Sequence, residues 1–148
     1  MKVSTKVECG IIALIDIALN SEGGCVVKVN NISQRNNISA KYLEQILPLL
    51  KQSHLINSVK GASGGYVLSR SSDDITLNEI INALDNTILS LSTFNEKLEP
   101  TAITVIEECL WQPFTSYLQD YSDKLTLRSL ADRYSELKTD TDSFVYSI

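Results

Sequence analysis

Three thiols and one imidazole are the soft ligands and nucleophiles of this chain, and their spacing limits what they can do. Cys9, Cys25 and Cys109 are dispersed, with no CxxC pair, and His54 has no Cys or His at ligand spacing. Neither a zinc site nor a dithiol couple is built that way. An odd, scattered set of thiols points to a reducing, cytoplasmic setting. Cys9 lies within helical reach of Lys6 and is the candidate redox thiol, whereas no basic residue adjoins Cys109. No Ser-His-Asp, Cys-His or paired-carboxylate arrangement stands out. The run Gly61-Ala62-Ser63-Gly64-Gly65-Tyr66 lacks the strand-then-helix context of a phosphate-binding loop. An enzyme is not indicated.

A different chemistry fits residues 38–70, ISAKYLEQILPLLKQSHLINSVKGASGGYVLSR. Tyr42, Leu43, Ile46, Leu47 and Leu50 recur at helical spacing behind a potential N-cap, Ser39. His54 to Val59 reads as a strand, Gly61, Gly64 and Gly65 as a tight reversal, and Tyr66-Val67-Leu68 as a returning strand. A helix followed by a glycine-tipped ribbon is the plan of a winged helix-turn-helix. Its helix enters a major groove and its ribbon reaches the neighbouring backbone or minor groove.

The elements around this stretch follow from pattern. Ser4 or Thr5 caps a helix running to Asn20, with Ile11, Leu14, Ile15, Ala18 and Leu19 on its apolar face. Val26, Val27 and Val29 read as extended chain, Asn31–Asn36 as the first helix of the helix-turn-helix, and Ser39–Ser53 as the second. Asn37 supplies a left-handed turn between them. Pro48 should bend the second helix or loosen a turn, because the Glu44 carbonyl loses its donor. Thr76-Leu77-Asn78-Glu79 is a capping box opening a helix from Leu77 to Asp85. Asn86 to Pro100 reads as a loop. Ile103, Ile106, Leu110, Phe114, Tyr117, Tyr121 and Leu125 then form a long stripe, widened by Trp111 and Leu118, in which Pro113 marks a kink or a new start. Such a stripe suits a helix that docks on its own domain and on a second copy. Thr126 to Leu137 is a last helix, and Lys138 to Ile148 a polar, frayed tail with Phe144 and Tyr146 as docking candidates.

The fold class expected is mainly α with a small β-wing. Residues 1–85 form a winged helix-turn-helix domain, 86–137 a linker, dimerisation helix and C-terminal helix, and 138–148 the tail. Net charge is −5, but residues 1–70 carry eight lysines and arginines against four acids, +4, leaving −9 on the remainder. A basic head on an acidic body fits DNA binding. No apolar run approaches the roughly 20 residues of a bilayer span, and no basic, then apolar leader opens the chain.

Four stretches resemble one family: MKVSTKVECG at 1–10, ISAKYLEQ at 38–45, VKGASGGYVL at 59–68 and ITLNEIINAL at 75–84, with LW at 110–111 and TLRSLAD at 126–132 in support. They are similar to the small bacterial winged-helix regulators of the Rrf2 type, typified by IscR, CymR and NsrR. The resemblance implies a homodimer with crossing long helices, bound to a partly palindromic promoter site in double-stranded DNA, most simply as a repressor. It implies that Glu44 and Gln45 read bases, that Ser39, Lys41 and Tyr42 contact phosphates or base edges, and that Lys60, with Gly61 in the wing, enters a minor groove. Glu can accept from a cytosine amine and Gln can pair with adenine. Lys60 stands where the family commonly has Arg; it keeps the charge and loses the planar fork.

Sensing is where the chain departs from the family. Cluster-binding members carry three cysteines before the long helix, but 86–108 contains none, and Cys109 falls past the last expected ligand, beside Glu108. An iron–sulfur cluster is therefore not expected, nor any other cofactor. Glu8, near an acidic cluster ligand of some members, reads as a solvated or salt-bridged helix residue. The cluster-free branch implies a metabolic protein, a small-molecule effector or thiol oxidation as the signal. Two rival readings are a winged-helix interaction module without DNA binding, and a thiol-based redox sensor.

Overall fold

The computed structural model describes residues 3–90 and 97–146. Helix α1, Thr5–Asn20, starts where the Ser4 hydroxyl accepts from the Val7 N–H at 3.4 Å. It buries Val7, Gly10, Ala13, Leu14 and Ile17 and ends at a short turn with Gly23 in the left-handed region. At Gly10 an added Cβ would overlap the Leu84 side chain, so glycine there lets α1 approach the helix carrying Leu84.

Helix α2 spans Val29–Asn36. It begins two residues before the expected start, so Val29 is helical rather than extended. Asn37 adopts φ 54° and ψ 38° and turns the chain into α3, Ala40–Gln52. Helix α3 runs through Pro48 without ending. Glu44 and Pro48 are both exposed, so the carbonyl that loses its donor faces water. Its C-terminus closes with Leu55 N–H to Leu50 O at 3.0 Å and His54 N–H to Lys51 O at 3.0 Å, with His54 at φ 58°. That is a Schellman ending, and His54 occupies the left-handed position usually given to glycine.

Strands β1, Ile56–Val59, and β2, Gly65–Leu68, pair antiparallel with Ile56 opposite Leu68 and Val59 opposite Gly65. Val27 pairs with the other edge of β2 through two bonds to Tyr66, at 2.9 and 2.8 Å. Helix α4, Leu77–Leu84, carries the expected capping box between Thr76 and Glu79. Part of the predicted Asn86–Pro100 loop, residues 91–96, lies outside the described residues, and Pro100 itself is the first residue of α5, Pro100–Ile106.

Residues Glu107–Trp111 form a π turn that passes directly into α6, Gln112–Lys124. The Gln112 N–H bonds the Glu107 carbonyl, five residues back. This wider turn relieves the clash that a proline ring makes with the carbonyl four residues before it, here Cys109. Helix α7, Leu127–Tyr146, corrects the frayed tail: Lys138 to Tyr146 is helical. The segment holds no Gly or Pro, and Thr139 and Thr141 hydroxyls donate back to the Ser135 and Leu137 carbonyls at 2.9 Å each. Phe144 is 69% exposed and docks on nothing described.

The core is one cluster built from α1, α3, α4 and β1, with Ile32 of α2 and Leu127 of α7 joining it. Leu77 N–H to Leu125 O and Leu127 N–H to Ile75 O, each 2.8 Å, stitch the start of α7 to the start of α4. The chain is thus a winged helix-turn-helix with C-terminal helices. Among the described residues no helix is long and apolar enough to cross a membrane.

Candidate nucleic-acid interface

The two faces of α3 differ completely. Leu43, Ile46, Leu47 and Leu50 are fully buried, whereas Lys41, Glu44, Gln45 and Pro48 are exposed. Steps of three and four residues align the exposed set along one side, opposite the core. At the start of the helix the Ser39 hydroxyl accepts from the Tyr42 N–H at 3.1 Å. Ser39 itself is exposed, and the unpaired N–H groups of a first helical turn favour an anion. Tyr42 is half-buried and packs against the core, so part of its surface is committed to holding α3 in place.

Lys60 and Gly61 sit at the exposed tip of the wing. Gly61 has φ 108°, and the Gly64 N–H returns to its carbonyl at 2.9 Å. A side chain at Gly64 would collide with the Val59 carbonyl, and one at Gly65 with the Val27 carbonyl. The glycines therefore serve a backbone packed against both neighbours, which holds the Lys60 turn clear of the body.

A clamp that sequence reasoning passed over positions α2, and through Asn37 α3. Asp16, 6% exposed, is buried in α1. It takes a bidentate pair from Arg35, Nη2–Oδ1 2.7 Å and Nε–Oδ2 2.9 Å, and a further bond from Asn36 Nδ2 at 2.8 Å. Hydrogen bonding to Asp16 holds the Arg35 guanidinium above its ordinary range. The signal was available: Asp16 falls on the α1 face that carries Ala13 and Ile17, and an acid there demands a partner.

Of the thiols, Cys25 and Cys109 are exposed and Cys9 half-buried. Burial, and then the charge of Glu8, push the Cys9 thiol above its ordinary range. Glu8, rather than the expected Lys6, is the charge it feels, and a scarce thiolate makes a poor sensor.

The long stripe divides between two faces. Trp111, Thr115, Leu118 and Leu125 are half-buried and Ser122 is buried, all toward the body. Ile106, Leu110, Phe114, Tyr117 and Tyr121 are 41%, 50%, 48%, 70% and 57% exposed. That is far more apolar surface than the exposed side of α3 shows.

A family model described as Rrf2, iron-dependent transcriptional regulator, matches residues 3–133. The regulator IscR of Escherichia coli is 30% identical over 137 residues, covering 93% of this chain and 84% of that protein. The structure of CymR, the global cysteine regulator of B. subtilis, superposes with a TM-score of 0.75 at 33% identity, covering 90% of this chain and 98% of CymR. IscR of T. potens superposes with a TM-score of 0.71 at 29% identity, covering 93% and 90%. Against the iron in the family description, the three thiols sit on separate elements, and among the described residues no three of His, Cys, Asp and Glu converge. With its winged helix-turn-helix and these relatives, the chain belongs to the Rrf2 family of DNA-binding transcriptional regulators.

Proposed function

We propose that two copies of the chain join through Ile106, Leu110, Phe114, Tyr117 and Tyr121 and repress transcription from a partly palindromic promoter site. In this reading each α3 lies in a major groove, with Glu44 and Gln45 at base edges. Ser39, Lys41 and Tyr42 hold phosphates or flanking base edges, and Lys60 beside Gly61 enters the minor groove. The protein works in the cytoplasm, without catalysis and without a cluster. One observation carries the reading: the first half of α3 presents Lys41, Glu44 and Gln45 as a single exposed polar row while Leu43, Ile46, Leu47 and Leu50 face inward.

The experiment is selection of genomic fragments by the purified protein, followed by titration of the enriched fragment with two variants. Glu44→Ala should relax preference at one base position by about 1–3 kcal/mol. Lys60→Ala should weaken binding to all sequences and lower the slope of log affinity against log salt by about one unit. Unchanged binding by both variants would refute the contact assignment.

A further inference from the structure

Helices α1, α2 and α7 enclose a cleft of about 270 Å³. Ile12, Ile15 and Leu19 make an aliphatic wall, Arg35 stands at its polar end, and α7 contributes Tyr134 and Lys138. Drug-sized sites run from about 300 Å³ upward, so this one fits a molecule of only a few carbons.

The polar end decides the ligand. Asp16 has no capacity left for a cation. Its Oδ1 accepts from Arg35 Nη2 at 2.7 Å and from Asn20 Nδ2 at 3.4 Å, and its Oδ2 accepts from Arg35 Nε at 2.9 Å and from Asn36 Nδ2 at 2.8 Å. A carboxylate offers about four acceptor sites, and these bonds take them all. The donors are not spent. Arg35 commits Nε and Nη2 to Asp16 and keeps Nη1. No hydrogen bond among the described residues engages the Tyr134 hydroxyl, and no ion pair engages the Lys138 ammonium. What remains is positive charge and O–H and N–H donors beside an aliphatic wall, with two cations against one anion.

We propose that this cleft is an effector site for a small aliphatic carboxylate. The carboxylate is held by Arg35, Tyr134 and Lys138, and its hydrocarbon body lies on Ile12, Ile15 and Leu19. A ligand there ties α7 to α2, the helix that leads through Asn37 into α3. The effector role rests on the regulator reading above, whereas binding in the cleft does not.

Isothermal titration of the full chain with isocaproate tests the site, with isoamylamine as a cation of similar shape. Saturable isocaproate binding is expected, with none for the amine. Loss of one charge-assisted bond in Lys138→Gln or Tyr134→Phe should weaken it about tenfold. Both residues are exposed, so the variants should keep the wild-type melting temperature. Saturating isocaproate should then shift affinity for the enriched promoter fragment by about fivefold or more. Promoter binding without ligand is measured first, so failure of the regulator reading shows separately. No isocaproate binding, equal binding of the amine, indifference to both variants, or an unmoved promoter affinity would each overturn the proposal.

Discussion

Helices α3 and α6 are both 13 residues long, and both contain a proline. They solve opposite problems. In α3 Leu43, Ile46, Leu47 and Leu50 are at 0% exposure inside the chain, Leu49 is half-buried, and the side opposite the core carries Lys41, Glu44 and Gln45. In α6 the only buried residue is Ser122, and Phe114, Tyr117 and Tyr121 face outward. Even the prolines differ in cost. Pro113 follows a π turn that widens the helix ahead of its ring, whereas Pro48 removes a bond from the regular interior of α3. On the function proposed above, the helix completed within its own chain presents polar chemistry to DNA and the helix left apolar outside joins a second copy, so that recognition and assembly fall on different elements of one small molecule.

Substitutions on the two helices should break this contrast in different ways. Leu47→Ala should cost about 2–5 kcal/mol of unfolding free energy, read by urea denaturation, because the cavity lies inside a shared core. Tyr117→Glu should leave the helical signal and monomer fold in place while weakening self-association about thirtyfold or more, read by sedimentation equilibrium. Dimerisation unaffected by Tyr117→Glu would remove the assembly role assigned to α6.

Glu79 tests the junction between the two regions, since its capping box sits where the start of α4 pairs with the start of α7. Burial by itself raises this carboxyl, but the Thr76 N–H and the Arg70 guanidinium outweigh it and hold Glu79 below the ordinary range. A folded-state value below the unfolded one means the stabilisation is complete above the unfolded value, about 4.3. It is lost as pH falls through the folded value. The melting-temperature gap between wild type and Glu79→Gln should therefore be widest at neutral pH and close in acid. The smallest effect belongs to the end of α3: His54→Gly should relieve the left-handed strain and stabilise the fold by about 0.5 kcal/mol.

Much of the head was legible because its signals are local. Asn37 had to turn the chain left-handed between two helices, Thr76 and Glu79 form a box within one turn, and the glycine spacing of the wing is written in ten residues. The helical end of the chain was missed because the apolar period fades after Leu137. Its helix persists on the absence of breakers and on threonine bonds to its own backbone. The clamp of Asp16 on Arg35 joins residues 19 apart and has no short-range signature beyond a misplaced acid. The π turn was equally hidden, since one wider turn ahead of Pro113 shifts the faces of the stripe without altering the spacing of its residues. For the interface itself, sequence pattern supplied the helix and wing, and the resemblance supplied the roles of Glu44, Gln45 and Lys60. The added finding is that these three residues are exposed while Tyr42 is partly committed to the core.

The most direct test of the account is the stoichiometry and salt dependence of binding to the fragment enriched from genomic DNA. Analytical ultracentrifugation would count chains per fragment, and titration at two salt concentrations would give the slope. The account predicts two chains on one inverted repeat, with affinity falling steeply as salt rises. Enrichment of no fragment, or a single chain bound without sequence preference, would contradict it.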